Sequence, residues 1–341
     1  MPDTAPTQAT STQATPTKAT STQASTSPAK TGLVADEVSR EHLTGPRHPE
    51  RPERFDAVMD ALEAVGLTKT LTKIPSRHAT KDELALCHGR EYISLVHDEI
   101  AAGASFLSTG DTQLSPRSLD AALSAAGSTM QAVDAVMAGE VRNAFCVLRP
   151  PGHHATPDRG MGFCIFNNVA VAARYAQKRH GVERVLIVDW DIHHGNGTQD
   201  TFYSDPSVLF FSTHQSPWYP GTGMHDEQGE GAAKGSTINC PFPSGAGRDE
   251  IVGAFGTELV SAARRFRPNL VFISAGFDSR LGDPLGEFTL SDDDFRELTS
   301  LMMEVADVSS GGRLISVLEG GYNLDGLGSA AAAHIRALSA T

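Results

Sequence analysis

Short runs of branched and aromatic residues recur at 143–149, 185–189, 207–212, 270–274 and 314–318. They are apolar at nearly every position rather than at alternate ones, the signature of strands buried on both faces of a parallel sheet. The stretches between them predict helices. Residues 55–65 are amphipathic, and Pro52 and Glu53 suit a first helical turn. Thr80-Lys-Asp-Glu has the capping-box pattern. Ala-rich or amphipathic segments from Ser115 to about Gly139, 167–179, 248–266, after Ser291 and at the carboxyl end complete the set. The acid run 292–294 complements a helix dipole better than it makes a metal site. Strands alternating with helices imply an α/β fold, a mostly parallel central sheet with helices on both faces. Polar clusters at 149–154, 189–196, 212–214, 278 and 319–323 all follow strand ends. Open α/β sheets place their sites there.

Composition separates a tail from this pattern. Residues 1 to about 31 are a quasi-repeat of Thr, Ser, Gln, Ala and Pro that cannot bury enough apolar surface to offset chain entropy. The expectation is a disordered spacer followed by one catalytic domain over 32–341. The formal net charge of −13 argues against direct binding to nucleic acid and favours cationic ligands. Cys87, Cys146, Cys164 and Cys240 are scattered, as reduced thiols of a cytoplasmic protein would be. No apolar run reaches membrane-spanning length, and the amino terminus lacks the layout of a secretory signal, so no membrane partner is expected. A homo-oligomer is compatible with all of this.

Chemistry concentrates in Val185-Leu-Ile-Val-Asp-Trp-Asp-Ile-His-His-Gly-Asn-Gly197. Strand alternation would put Asp189, Asp191 and His193 on one side and Trp190 and Ile192 on the other. Ionisable groups gathered at the end of a buried strand are costly unless a cation is bound among them. An acid and an imidazole at two-residue spacing suit zinc or a similar divalent metal. The tandem His153-His154 after Pro150-Pro-Gly points to acid/base work, each ring needing an acceptor on its other nitrogen. Asp189 is free for that role if Asp191 is the ligand, and Asn196 can serve the second histidine. Asp278 completes an Asp/His/Asp metal site with room for water and substrate. Tyr322, after two glycines, can act as an oxyanion donor. These residue types point to metal-assisted hydrolysis of an acyl bond.

Arg149-Pro-Pro-Gly-His-His-Ala, Gly162-Phe-Cys-Ile-Phe-Asn-Asn, Asp189-x-Asp-x-His-His-Gly-Asn-Gly-Thr, Ser274-Ala-Gly-Phe-Asp and Glu319-Gly-Gly-Tyr occur in that order. Together they resemble the zinc-dependent histone deacetylase and acetylpolyamine amidohydrolase family, over residues 33–341. Asn196, where class I enzymes have Asp, and the segment 42–54 resemble class II deacetylases and their bacterial relatives. The resemblance implies the arginase/deacetylase fold, with Asp191, His193 and Asp278 on zinc. It makes His154 the general base and then the acid, His153 with Asp189 an electrostatic support, and Tyr322 the group that polarises the acetyl carbonyl. Gly162 and Phe163 match one wall of an acyl-lysine tunnel and Tyr219 the other, where the family usually has Phe. Potassium is also bound in this family, and Asp189 and Ser212 are the matching side chains.

The implied activity is removal of acetyl or a similar acyl group from lysine side chains. An acetylpolyamine amidohydrolase with the same site is the alternative. A silent acyl-lysine binding module fits less well with Tyr322 present, and a two-manganese ureohydrolase would need ligands where Asn196 stands. At the tunnel mouth, Leu285 matches a position where a polyamine-selective relative has an acidic gatekeeper. Leucine there favours acyl-lysine peptides, with Asp111, before the Ala-rich helix, as a rim acid that would favour polyamines.

Overall fold

The computed structural model describes residues 1–5 and 30–340. Strands β1 (Thr31–Ala35), β2 (Thr72–Lys73), β3 (Asn143–Val147), β4 (Val185–Asp189), β5 (Val208–Gln215), β6 (Thr237–Phe242), β7 (Leu270–Ala275) and β8 (Leu314–Leu318) form one sheet. Its order is β2-β1-β3-β8-β7-β4-β5-β6, and every pairing is parallel. Helices α1 (Glu53–Ala64), α2 (Lys81–Leu84), α3 (Arg90–Ala101), α4 (Ser118–Met137) and α5 (Asn168–His180) occupy the first half of the chain. They are followed by α6 (Asn196–Phe202), α7 (Arg248–Ala254), α8 (Val260–Phe266), α9 (Asp292–Ser310) and α10 (Leu324–Leu338).

Both sheet faces are dry, which is why the strands read as continuous apolar runs. Along β3, Phe145 and Val147 join the core under α1, α9 and α10, while Ala144 and Cys146 join the one under α3, α4 and α5. Leu186 and Val188 of β4 divide from Val185 and Ile187 in the same way. Local signals set the helix ends. Thr80 and Glu83 close the expected capping box of α2, and Ser291 with Asp294 closes one on α9. The acid run after Ser291 thus serves a helix start.

The structure departs from the sequence pattern in specific places. The unstructured segment expected over 1–31 falls mostly outside the described residues, and β1 opens at Thr31, paired with Asn143. Edge strands β2 and β6 lack the apolar run that marks a central strand; β6 even holds Pro241, tolerable at an edge. The helix expected over 248–266 is interrupted by a π-turn at Phe255–Leu259. Strand β4 stops at Asp189, so bends rather than strand alternation aim Asp191 and His193.

Candidate active site

The carboxyl ends of β3, β4, β7 and β8 are neighbours, and the loops leaving them bring the polar clusters together. At the end of β4, Asp189 Oδ2 lies 3.0 Å from His153 Nδ1. Asn196, at the start of α6, offers Oδ1 to His154 Nδ1 at 2.8 Å. The two histidine rings lie against each other, centroids 4.0 Å apart and planes tilted by 40°. Their loop is fixed by Glu319, whose Oε2 accepts from the N–H groups of Gly152 (2.7 Å) and His153 (3.1 Å). Both expected orienting pairs are therefore formed.

Asp191, His193 and Asp278 converge beside them. Backbone N–H groups anchor both oxygens of Asp191 and one of Asp278: His193 donates to Asp191 Oδ1 (2.9 Å), Gly320 to Asp191 Oδ2 (2.8 Å) and Ile192 to Asp278 Oδ1 (3.0 Å). His193 Nδ1 then sits 3.0 Å from Asp191 Oδ1 and 3.2 Å from Asp278 Oδ2. One ligand atom from each residue lies within 4.8 Å of the others, and all three residues are buried. Asp278 Oδ2 accepts no hydrogen bond among the described residues. A buried carboxylate oxygen without a donor, beside a second carboxylate and an imidazole nitrogen, is the donor set a divalent metal requires. Gly276 and Gly320 keep this space open, since a Cβ on either would collide with the oxygens of Asp191 or Asp278. That explains Gly276 in Ala-Gly-Phe-Asp and the first glycine of Glu-Gly-Gly-Tyr.

Counting protein groups alone, the electrostatics are uneven. Burial lowers a histidine, but Asp191 and Asp189 outweigh it at His153 and push that ring up to about 10. Burial, then His153 and His193, hold His154 well below its usual value, so the ring is neutral. Burial and then Asp191 push Asp278 up to about 7, and burial lifts Glu319 to about 7. The phenol of Tyr322 is driven well above its ordinary value by burial and stays protonated.

A cavity of about 280 Å³ leads down to this cluster. His154, His193 and Tyr322 form its floor, Gly162, Phe163 and Tyr219 its walls, and Asp111 and Leu285 its rim. Each of these was expected from sequence. Phe163 is a non-glycine residue with φ of 67°, a conformation costing about 1–3 kcal/mol. It directs the ring into the cavity, edge-on to His48 (4.6 Å) and Tyr322 (6.0 Å). Asp111 Oδ1 accepts from Gly162 N–H at 2.7 Å. The two side chains matched to potassium lie behind the cavity on adjacent strands, with Ser212 Oγ 2.9 Å from His214 Nδ1.

Sequence reasoning missed Trp218 and Pro284, which line the rim, and the support beneath Tyr322. Arg54 Nε donates to Gly321 O at 2.6 Å, its guanidinium also reaches Glu319 O, and its Cζ lies 4.9 Å from the Tyr322 ring centroid. Asp283 Oδ2 accepts from the N–H groups of Tyr322 (2.7 Å) and Asn323 (3.0 Å). A buried Arg in the first turn of α1, directly after a Pro-punctuated loop, has no established periodicity to announce it.

The family model of the histone deacetylase domain matches residues 48–338. A rice protein named "Histone deacetylase 10, chloroplastic" is 41% identical over 85% of this chain and 69% of its own length. A probable deacetylase of Archaeoglobus fulgidus is 38% identical over 87% of this chain and 82% of its own. Human "Polyamine deacetylase HDAC10" is 42% identical over 82% of this chain but 43% of its own length. Among solved structures, the HDA15 HD domain superposes with a TM-score of 0.87 at 37% identity, covering 91% of this chain and 90% of that one. The fold is thus that of the arginase/deacetylase group. With its five motifs gathered around one buried tunnel, the chain belongs to the histone deacetylase family and is a deacetylase, a hydrolase of amide bonds.

Proposed function

We propose that the protein is a zinc-dependent amidohydrolase that removes acetyl, or a similar small acyl group, from lysine side chains. The observation that carries this reading is the Asp191–His193–Asp278 donor set at the base of a narrow apolar tunnel, with His154 and Tyr322 on the same floor. Bound zinc would supply Lewis acidity toward a water molecule and the amide carbonyl.

The chain's own residues do the rest. Phe163 and Tyr219 exclude bulk water from an extended aliphatic stem and align its amide with the floor. His154 donates its Nδ1–H to Asn196 Oδ1, which leaves the Nε2 lone pair free to take a proton from the attacking water. An amide acceptor leaves that ring less basic than a carboxylate would, in keeping with a neutral histidine. The same nitrogen then delivers the proton to the departing amine, and the products are an amine and a carboxylate. His153, charged through its pairing with Asp189, stabilises negative charge growing on the substrate. Tyr322 donates its phenolic hydrogen to the carbonyl oxygen as that charge develops. The side chains of Asp189 and Ser212 are further assigned to a structural potassium ion.

Leu285 at the rim supports peptides over polyamines, since no carboxylate there meets a second ammonium. Deacetylation of acetylated polyamines is the second reading, favoured by Asp111 on the opposite rim and by the human relative's name. Four free cysteines support a cytoplasmic setting. Among the described residues no helix is long and apolar enough to cross a membrane. Metal analysis with activity before and after chelation tests the zinc assignment. Comparing kcat/KM on acetyl-lysine peptides and acetylspermidine tests the substrate; faster hydrolysis of the polyamine would overturn the lysine reading.

A further inference from the structure

We infer that Glu227, outside the catalytic machinery, is a positioning residue that clamps the outer tunnel wall to the helix orienting the catalytic histidine. The inference rests on the reading of the cavity as a substrate tunnel. That wall is segment 216–223, which carries Trp218 and Tyr219 into the cavity. Tyr219 stands edge-on to His154, with ring centroids 5.1 Å apart, so wall and catalytic base share one contact surface.

The root of the wall is held by converging donors. Gly223 N–H reaches both Glu227 oxygens, at 3.0 and 3.1 Å, and Met224 N–H reaches Oε1 at 3.0 Å. Gln199 Nε2 donates to Oε2 at 2.6 Å. Gln199 lies one turn after Asn196 on α6, so a single short helix fixes His154 with one residue and Glu227 with another. The other end of Gln199 is committed, because its Oε1 accepts from Asn239 Nδ2 at 2.7 Å and faces His194 Nε2 at 3.1 Å. Gly223 has φ of +88°, and a Cβ there would collide with the rings of His194 and His214. The tip of the wall has a separate tie, Trp218 Nε1–H to Leu285 O at 2.9 Å. A carboxylate suits the root because it accepts at both oxygens, and three donors aim at it. An amide in its place would set an N–H₂ group against the Gln199 donor.

E227Q should therefore loosen the wall without touching proton transfer. Its KM for an acetyl-lysine peptide should rise about fivefold or more while kcat stays within about twofold, the pattern of lost uniform binding. A second readout needs no turnover. The chain has two tryptophans, and Trp190 is fully buried, so acrylamide quenching of emission reports on Trp218. Quenching should increase in E227Q. The reciprocal double variant Q199E/E227Q exchanges the two groups and re-forms the pair. Its carboxylate at position 199 accepts from Asn239 and from the amide at position 227, whose oxygen accepts from Gly223 and Met224. It should return both KM and quenching to within about twofold of the parent. Parental KM and quenching in E227Q, or a double variant no better than the single one, would overturn the clamp. A parent inactive on every acetylated amine would instead overturn the functional reading and leave the quenching comparison standing.

Discussion

Two clusters of buried charge lie next to each other in this molecule, and they behave in opposite ways. Glu50 is enclosed by Arg149, whose Nη2 lies 2.7 Å from its Oε2, by Arg54 Nη1 at 3.2 Å and by His42 Nε2 at 3.5 Å. Burial pushes its carboxyl upward, but Arg149, His42 and Arg54 together hold it at about 2. In the active site Asp189, Asp191, Asp278 and Glu319 are equally buried, and among the described residues the carboxylates of the three aspartates pair with histidines and none of the four with an arginine. Burial and Asp191 leave Asp278 near 7, and Glu319 rises to about 7. The first cluster contains its own countercharge. The second gathers four carboxyl groups around two histidines, so two of them are held near neutral protonation unless a further cation joins them. One is support and the other is the proposed metal site, and charge balance separates them where burial does not.

Removing charge should therefore have opposite consequences in the two places. Asp278→Asn should abolish stoichiometric metal binding and lower activity by more than 100-fold, beyond the roughly 10–100-fold typical of groups that only support a ligand. In metal-free protein the same change should leave the unfolding midpoint unchanged or raised, because it relieves repulsion with Asp191. Thermal unfolding with and without zinc checks this; a large loss in the metal-free protein would erase the distinction between the clusters.

Glu50→Gln should do the reverse, destabilising the protein by about 3–5 kcal/mol with or without metal, since it strands two buried guanidinium groups. Denaturant unfolding at pH 7 measures it. The cluster also sets an acid limit. Burial lowers His42 to about 4 against the pull of Glu50, so its contribution is complete above the unfolded value of 6.5 and is lost as pH falls toward 4. Glu50 contributes fully above 4.5, and that share is lost as pH falls toward 2. Parent stability should decline across this window, and the variant should show a smaller loss below 4.5.

Tyr322 stands between the clusters, with the Arg54 guanidinium over its ring and its side chain lining the cavity. Tyr322→Phe should reduce turnover by roughly 100-fold with metal still bound, the range for one oxyanion donor. A variant within a few-fold of the parent would remove Tyr322 from carbonyl polarisation. Smallest is the rim, where half-exposed Leu285 lines the cavity but belongs to neither charge cluster. Leu285→Glu should shift the ratio of kcat/KM toward acetylspermidine by about tenfold, well below the roughly 4 kcal/mol of an unscreened pair at about 4 Å. An unchanged ratio would locate polyamine discrimination elsewhere.

The sequence by itself determined the alternating α/β layout, because strands buried on both faces must be apolar throughout and capped helices announce their starts. It also picked out the candidate site residues. Asp189, Asp191, His193, Asp278, His153, His154 and Tyr322 are costly in apolar surroundings, so their presence at strand ends has few explanations. Edge strands β2 and β6 were not legible, since an edge carries no run of buried residues. The family resemblance had already paired Asp189 with His153, but only the tertiary structure shows how the two acids come to diverge. The bends after Asp189 turn one carboxylate to His153 and the next toward His193, a choice invisible in the spacing. It also decided that Arg54, Glu50 and Arg149, distant in sequence, neutralise one another beneath Tyr322, and that Glu227 gathers donors from a helix and a loop. Charge pairing in a dry interior depends on which chain segments meet, and local pattern does not encode that.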